Sequence, residues 1–419
     1  MTIERYARHS LIDWFDQELI RNLRVIVVGA GALGNEVIKN LVLLGVGEVH
    51  VFDLDLIEVS NLTRSVLFRE SDVGRQKAEC VAARARELDP CVTIHPHHGD
   101  FWKTLSFSLL QSSTVVFACL DNYEARIRLN RLCAIARVPL VNTGIDSRFG
   151  VVEHFPFGSS QDCGCYECGL PTSVYASVAK RYSCGWLRRI AIEERKIPTT
   201  ILTASATASL AVSVFLRSIV APDEVTGSLR IYQDTFTGHA SRNAIDKMVG
   251  CPGCGDLLPD RIILTANRAC APALIKRDTL PGESTILFSD RVLTDLQCRQ
   301  CSATSGVKEI VFAASDDFDE SVVSCPVCGA GNRAIGLTDR IEIRELFDDY
   351  SGRQWPGKFV MYTEDELQVV IELLGGSDVR SNCDSEDRRP DAEGRSDGAS
   401  GSTRSGSDSG RSDELGVAD

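Results

Sequence analysis

Short runs of apolar, β-branched residues alternate with helix-like periodicity along the first 150 residues. The first run, Arg24 to Gly29, is typical of a strand that is buried on both faces. A helix is expected from about Gly34 to Leu44, and a second strand from Val49 to Asp53. Later strands are predicted at Val92–His95, Val115–Cys119 and Pro139–Asn142, and a helix at Asn122–Ala136. This alternation predicts an α/β fold with a Rossmann-like, doubly wound and mostly parallel sheet.

The pattern changes after Gly150. The uncharged stretch Ile197 to Leu216 is about as long as a membrane span, but seven of its twenty residues are Ser or Thr. Transfer of such a segment into lipid is unfavourable, so we expect a buried helix over 201–216. A strand is predicted at Leu229–Gln233, and we place a domain boundary near residue 258, so that the first domain spans 1–258.

Residues 259–376 are expected to form a smaller β-rich domain. A helix at Glu364–Leu374 is predicted to close this domain. From residue 377 to 419, Ser, Gly, Asp and Arg dominate, so no core can form and a disordered tail is predicted. The strands of the β-rich domain are predicted at Ile262–Thr265, Thr285–Phe288, Glu309–Ala313 and Phe359–Tyr362.

Composition limits the classes of partner and compartment. The net charge is -13 and the pI is near 5.1, which argues against nucleic acid as the main partner, because phosphate backbones require a basic surface. The first ten residues lack the apolar segment of a secretory signal. Sixteen cysteines without an export signal indicate a reducing, cytoplasmic setting, where spaced thiols are metal ligands or nucleophiles before they are disulfides. No membrane association is predicted.

A glycine-rich loop follows the first strand. Gly29, Gly31 and Gly34 form a G-x-G-x-x-G motif before a helix, which is typical of phosphate binding at a helix amino terminus. Asp53 lies 24 residues after Gly29, where an acid can bind a ribose hydroxyl. On these two features alone, a nicotinamide- or flavin-dependent oxidoreductase is the default interpretation.

Further charged residues favour nucleotidyl transfer over hydride transfer. Asp55 follows Asp53, and the chain then presents Arg64, Lys77 and Asp121 in separate polar motifs. Cations are needed to neutralise a triphosphate as pyrophosphate leaves, and a carboxylate is needed to hold Mg²⁺. A hydride-transfer enzyme has little use for these groups.

These motifs together resemble the ThiF/MoeB and ubiquitin-activating-enzyme superfamily. The resemblance covers residues 5–255, about three-fifths of the chain. It implies an adenylation domain that binds ATP and Mg²⁺, and a homodimer. The matching motifs occur in the family's order, as Arg5-Tyr6-Ala7-Arg8, GAGALG, VFDLDLIEVSNLTRS, VGRQK and CLDN.

The resemblance also implies residue roles. Asp53 would bind the ribose with Asp55 nearby, and Asn61, Arg64 and Lys77 would contact the phosphates. The family usually has Gln after the arginine, where this chain has Ser65, so one secondary contact is in doubt.

Two further roles come with the resemblance, each with an alternative. Asp121 would position Mg²⁺, but it could also cap the following helix. Arg8 would reach into the active site of the partner subunit, but Arg8 and Arg64 could also be surface salt-bridge partners.

Two C-x-x-C pairs predict a structural zinc site. Cys165 and Cys168, with Cys251 and Cys254, offer four thiolates for a closed tetrahedral site. Cys163 could replace Cys165 as a ligand, although the C-x-x-C spacing of Cys165 and Cys168 is better suited to binding one metal ion. The resembled family carries such a site with a similarly long separation.

A second set of pairs predicts a zinc ribbon. Cys298 and Cys301 precede Cys325 and Cys328 by 23 intervening residues. This spacing is a strong zinc signal. The ribbon would be structural and could present an interaction surface.

Cys184 is the candidate nucleophile. It lies among Lys180, Arg181, Arg188 and Arg189, ahead of a helix-like stretch, and both features favour a thiolate. In thioester-forming members of the resembled family the catalytic cysteine lies in this crossover region. The alternative is a structural or redox cysteine.

The resemblance therefore implies activation of a ubiquitin-like protein. The C-terminal glycine would be adenylated with ATP, and a thioester on Cys184 would pass the modifier to a conjugating enzyme. A sulfur-carrier adenylyltransferase without conjugation is the main alternative. A non-catalytic scaffold and an NAD-dependent oxidoreductase are more remote.

Overall fold

The computed structural model describes most of the chain between residues 5 and 388. Cys184, Cys325, the strand predicted at Glu309–Ala313 and most of the segment after residue 376 lie outside the described residues. The described residues are 5–158, 163–174, 198–255, 261–265, 275, 284–298, 300–301, 304–306, 327–330, 332–343, 355–364, 367–373 and 386–388.

An eight-stranded sheet forms the first part of the molecule. The strand order is β3-β2-β1-β4-β5-β6-β7-β8; the first five are parallel and the last three join antiparallel. The predicted mostly parallel α/β sheet is confirmed. The strands are β1 Arg24–Val28, β2 Glu48–Asp53, β3 Thr93–His98, β4 Val115–Ala118, β5 Leu140–Ile145, β6 Phe149–Phe155, β7 Leu229–Asp234 and β8 Ala240–Ala244.

Helices cover both faces of this sheet, which explains the continuous apolar run of β1. Val25 and Val27 belong to a core formed with α2, α3 and α7, whereas Ile26 and Val28 belong to a core formed with α4, α5 and α6. A strand that is buried on both faces cannot carry alternating polar residues. The helices are α1 Gln17–Arg21, α2 Ala32–Leu44, α3 Lys77–Leu88, α4 Phe101–Thr104, α5 Phe107–Gln111, α6 Tyr123–Ala136 and α7 Ile201–Val220.

The helix α7 is the Ser/Thr-rich helix expected from the sequence. It packs against α2, β5 and β6, and it buries Ala204, Ala208, Ala211 and Phe215. Among the described residues it is the one helix long and apolar enough to cross a membrane. Its packing into the sheet core confirms the buried-helix prediction.

A second sheet of seven strands follows. The order is β11-β10-β13-β14-β9-β15, and β12 pairs with β10; only β14 and β9 are parallel. The β-rich character predicted for this region is therefore found. The strands are β9 Arg261–Thr265, β10 Thr285–Cys298, β11 Thr304–Gly306, β12 Asn332–Glu342, β13 Phe359–Glu364, β14 Leu367–Leu373 and β15 Glu386–Arg388.

One local prediction in this region was wrong, and one short strand was not predicted. The helix expected at Glu364–Leu374 is strand β14, whose last five residues are all buried between β13 and β9. A short buried strand and a helix segment have the same apolar run, so periodicity does not separate them. The strand β15 lies in the segment expected to be disordered; pairing with the edge of β9 uses backbone groups and needs no apolar side chains.

The second sheet contacts the first part of the molecule through buried polar groups. The Trp102 Nε1–H donates to Asp290 Oδ1 at 3.1 Å, and the Phe107 N–H donates to Glu372 Oε1 at 3.1 Å. Phe359 packs against both Trp102 and Phe107. The two regions therefore share an interface, while the boundary at residue 258 stays a prediction.

Candidate active site

The turn between β1 and α2 requires two of its glycines for packing. Gly29 has φ of +97°, and a Cβ there would lie 2.3 Å from the carbonyl oxygen of Cys119. A Cβ on Gly34 would lie 1.9 Å from the carbonyl oxygen of Gly29. Neither position has room for a side chain, and this absence of side chains lets the start of α2 pack directly against the ends of the strands.

Gly31 has a different reason to be glycine. A Cβ built on it would meet no atom within 4 Å, so the packing of the chain does not demand glycine here. Gly31 is the N-cap residue of α2. Because it has no side chain to accept a hydrogen bond, the N–H groups of the first helical turn can donate to a bound ligand instead. Backbone donors at the positive end of a helix form a site for phosphate oxygens.

Asp53, at the end of β2, fixes the glycine loop. Its Oδ2 accepts the Ala30 N–H at 2.6 Å, and its Oδ1 accepts the Asp55 N–H at 2.8 Å. Burial raises the pKa of the Asp53 carboxyl above its usual value, opposed by nearby Lys77 and these two donors. The Asp53 carboxylate therefore lies beside the glycine loop, in keeping with its predicted role of binding a ribose hydroxyl.

Lys77 joins this group from the start of α3. Its ammonium contacts Asp55 Oδ2 at 2.8 Å, and its side chain is only 11% exposed. The Lys77 N–H also donates to the Asp55 carbonyl at 3.0 Å, which ties α3 to the segment after β2. Residues 22 positions apart thus form one charged group beside the glycine loop.

Asn61 and Arg64 follow β2 and make local contacts. The Asn61 Oδ1 accepts the Glu58 N–H at 2.9 Å, and Arg64 Nη1 donates to the Ser60 carbonyl at 2.7 Å. A guanidinium has five N–H donors, so this bond engages one of them. Within the described residues Arg64 forms no ion pair, so the structure gives no support to a structural salt bridge there.

Asp121 follows β4, which is the neighbour of β1 on the side opposite β2. Its side chain is exposed, and its Oδ1 accepts the Asn122 Nδ2–H at 3.2 Å. Asn122, rather than Asp121, caps α6 by accepting the Ala125 N–H at 2.8 Å. The helix-cap alternative for Asp121 is therefore wrong.

The carboxyl ends of β1, β2 and β4 meet at one edge of the sheet because these strands are adjacent and parallel. The strand order reverses between β1 and β4, and nucleotide sites of doubly wound sheets lie at this crevice. The glycine loop, Asp53 and Asp121 each follow one of these strand ends. An exposed carboxylate at this edge is an oxygen ligand of the kind that Mg²⁺ prefers.

Arg8 has no described hydrogen bond or ion pair with this group. It is exposed and precedes the short 3₁₀ turn His9–Leu11. It makes no ion pair with a described carboxylate of its own chain. Its predicted role in a partner subunit stays a prediction.

Asn35 is a positioning residue that the sequence did not single out. It is fully buried; its Nδ2 donates to the Ala30 carbonyl at 2.7 Å, and its Oδ1 accepts the Leu67 N–H at 2.9 Å. One amide therefore connects the glycine loop to the segment that carries Arg64. The available signal was a polar residue on the apolar side of α2.

The first cysteine group has the dimensions of a zinc site. The Sγ atoms of Cys165 and Cys251 lie 3.6 Å apart, those of Cys168 and Cys254 3.6 Å, and those of Cys165 and Cys168 3.9 Å. Four sulfurs around Zn²⁺ at about 2.3 Å would be about 3.8 Å apart. These four residues could hold a metal ion, and Cys163 is not part of the group.

The second cysteine group is described in part. Cys298, Cys301 and Cys328 converge, and the Sγ atoms of Cys298 and Cys328 lie 3.4 Å apart. The N–H groups of Gln300 and Cys301 donate to Cys298, and these bonds lower its pKa to about 6. Three convergent thiols fit a zinc ribbon that Cys325, outside the described residues, would complete.

A sequence model of the ThiF family matches residues 4–252. The SAMP-activating enzyme E1 of Haloferax volcanii is 37% identical over 172 residues, which cover 40% of this chain and 62% of that protein. The Molybdopterin-synthase adenylyltransferase of Salmonella typhimurium is 33% identical over 167 residues, 39% of this chain and 66% of that protein.

A eukaryotic relative and a solved structure are also similar. The SUMO-activating enzyme subunit uba-2 of Caenorhabditis elegans is 36% identical over 152 residues, 36% of this chain and 26% of that protein. A crystal structure of E. coli MccB with ATP is 22% identical with a TM-score of 0.47, over 60% of this chain and 73% of that chain. Each of these three relatives is matched over less than two thirds of its own length.

Proposed function

Because the chain belongs to the ThiF family, we propose that it adenylates the C-terminal glycine of a ubiquitin-like or sulfur-carrier protein. The relatives it resembles are named as activating enzymes and adenylyltransferases. The observation that carries the proposal is the group formed by the glycine loop, Asp53, Asp55 and Lys77 at the carboxyl ends of β1 and β2. A hydride-transfer enzyme has no need of a buried lysine at this position.

The proposed reaction is nucleotidyl transfer. A carboxylate oxygen of the carrier's terminal glycine attacks the α-phosphorus of ATP, forming a C–O–P bond, while the bond to pyrophosphate breaks. The α2 amino terminus binds phosphate oxygens, and Asp53 holds the ribose. Lys77 and Arg64 stabilise the negative charge that grows on the leaving pyrophosphate.

Two kinds of ion would support this site. Asp121 would hold Mg²⁺, which would offset phosphate charge. Cys165, Cys168, Cys251 and Cys254 would hold a structural Zn²⁺ that joins the segments after β6 and β8. The ribbon of Cys298, Cys301, Cys325 and Cys328 would hold a second one.

Pyrophosphate exchange tests the adenylation step. With ATP and a glycine-terminated carrier, Arg64→Ala and Lys77→Ala should each lower the exchange rate about 10²–10³-fold, since each removes one donor to transition-state charge. Arg84→Ala is the matched control, because Arg84 lies further along α3 and pairs with Glu87 at 2.8 Å. Normal exchange in both site variants would reject the assignment.

After adenylation we propose thioester formation on Cys184 and transfer to a conjugating enzyme. The support is the SAMP- and SUMO-activating relatives, together with the cations around Cys184 in the sequence. The thiolate displaces AMP from the adenylate, so that a C–S bond replaces the C–O bond. The second candidate is sulfur-carrier activation without conjugation, which the match to a molybdopterin-synthase adenylyltransferase favours.

A non-reducing gel separates these two paths. Wild type and Cys184→Ala are incubated with ATP and carrier while pyrophosphate release is followed. A thiol-sensitive adduct on wild type alone supports the thioester. Pyrophosphate release with no adduct on either protein supports the sulfur-carrier path.

Assembly and location complete the proposal. We propose a homodimer in which Arg8 of each copy reaches the nucleotide of the other; the exposed side chain of Arg8 is compatible with this. We also propose a cytoplasmic location. The support is the cysteine usage of the sequence, in which eight of the sixteen cysteines fall in C-x-x-C pairs, as is typical of proteins in a reducing compartment.

A further inference from the structure

A cluster of three histidines and one glutamate lies on the edge strand β3 of the first sheet and on its neighbour β2. Glu48 and His50 are on β2, and His95 and His97 are on β3. The parallel register places His50 opposite His95, with their rings stacked at 4.5 Å, and Phe52 opposite His97. Three of the chain's seven histidines are therefore on one face of two neighbouring strands.

Three of these side chains converge on one oxygen. The Nε2 atoms of His50 and His95 each lie 3.1 Å from Glu48 Oε1. One ligand atom from each residue lies within 4.8 Å of the others. Nitrogen and oxygen ligands at about 2.0–2.1 Å from Zn²⁺ are about 3.3 Å apart in a tetrahedron, so the cluster needs only small side-chain shifts to accept an ion.

The surrounding contacts orient the ligands as in metal sites. Arg24 Nε donates to Glu48 Oε2 at 2.6 Å, which leaves Oε1 directed at the histidines. His50 Nδ1 lies 3.0 Å from His97 Nε2, so it can donate to His97 while His50 Nε2 keeps its lone pair. His97 in turn stacks on Phe52 with centroids 4.2 Å apart. Metal-bound histidines characteristically use their second nitrogen in such a bond.

The cluster is also open to solvent on one side. His50 is buried, but the side chain of His95 is 43% exposed and that of Glu48 is 26% exposed. An ion could therefore enter past His95, and water could complete its coordination.

We propose that Glu48, His50 and His95 bind a divalent first-row transition-metal ion. Imidazole and carboxylate ligands suit Zn²⁺, Co²⁺, Ni²⁺ and Cu²⁺ better than Ca²⁺ or Mg²⁺. The bound ion joins the edge strand β3 to β2. This site is separate from the cysteine group, whose ligands come from segments after β6 and β8, and from the nucleotide site at the other end of β2.

Cobalt titration tests the site on the full chain. The protein is first loaded with Zn²⁺ and then treated with a chelator that strips metal from the open histidine cluster but leaves the closed thiolate sites filled. Co²⁺ is then added to wild type, His95→Ala, Glu48→Gln and the control His98→Ala. His98 is the neighbouring exposed histidine of β3 and is not in the cluster. Wild type and His98→Ala are expected to bind one equivalent without a thiolate-to-cobalt band, and the two cluster variants at least tenfold more weakly.

A ligand exchange keeps the test independent of folding. In His95→Cys, binding should persist and a thiolate-to-cobalt band should appear, because sulfur then joins the coordination sphere. Equal stoichiometry and affinity in all variants, or no thiolate band in His95→Cys, would overturn the proposal and assign the short contacts to ring protons shared with Glu48.

Discussion

The buried ion pair Lys358–Glu372 lies where the second sheet meets the first part of the molecule, and its contribution to the free energy of unfolding can be predicted. Lys358 Nζ lies 3.0 Å from Glu372 Oε1, and the two side chains are 3% and 1% exposed. The Phe107 N–H also donates to both oxygens of Glu372, at 3.1 and 3.3 Å. The carboxylate thus neutralises a buried ammonium and connects β14 to the amino terminus of α5.

Removing the lysine charge should destabilise this interface strongly. In Lys358→Met, Glu372 stays buried with a single neutral donor, and an uncompensated buried charge costs about 3–5 kcal/mol. In the double variant Lys358→Met/Glu372→Gln no charge remains, while the amide oxygen can still accept the Phe107 N–H. The double variant should therefore be more stable than Lys358→Met alone.

Urea unfolding followed by tryptophan fluorescence measures the effect, since Trp102 and Trp355 are both buried near this interface. The double-mutant cycle should give a coupling energy of about 2–3 kcal/mol. The pair Arg217–Glu224, whose side chains are 41% and 63% exposed, is the matched control, for which about 0–1 kcal/mol is expected. If the destabilisations of Lys358→Met and Glu372→Gln simply add in the double variant, the two charges do not stabilise one another and the reasoning fails.

Three further predictions concern the glycine loop, the zinc group and a buried histidine. Gly34→Ala places a Cβ 1.9 Å from a backbone oxygen and should abolish ATP binding by calorimetry, whereas Gly31→Ala should still fold and bind more weakly; equal binding in both would contradict the loop geometry. Cys165→Ser should lose one equivalent of zinc by elemental analysis, while Cys163→Ser keeps it; retained zinc in the first variant would exclude the site. His154 is buried without a hydrogen-bond partner among the described residues, and burial lowers its pKa from 6.5 to about 4, so the unfolded chain takes up a proton first as pH falls. Wild type should therefore lose about 2–3 kcal/mol more unfolding free energy than His154→Leu between pH 7 and pH 4.5, by urea unfolding, and parallel pH profiles would count against this.

The strands of the first sheet can be predicted from the sequence because they are buried on both faces and therefore form continuous apolar runs. The apolar, β-branched run within Arg24–Val28 predicts a buried strand, and these residues form β1. The same rule failed at Leu367–Leu373, where a buried run of strand length was assigned to a helix. Length and β-branching were the signals that could have corrected it.

The sequence motifs pointed to candidate site residues. They did not predict which of these residues contact one another. The glycine loop and Asp53 follow from a local motif, whereas the Lys77–Asp55 pair depends on where α3 begins relative to β2. The cluster around His50 was missed because its ligands are 45 residues apart and meet only through parallel strand register. Sequence spacing does not reveal such a register.

The central claim is that this chain transfers AMP to a terminal glycine. The most direct measurement is the intact mass of glycine-terminated ubiquitin-like and sulfur-carrier proteins after incubation with the enzyme, ATP and Mg²⁺. A carrier is expected to gain the mass of one AMP, and deletion of its last glycine is expected to abolish this gain. An unchanged mass for every carrier, together with nicotinamide binding and no ATP binding, would contradict it.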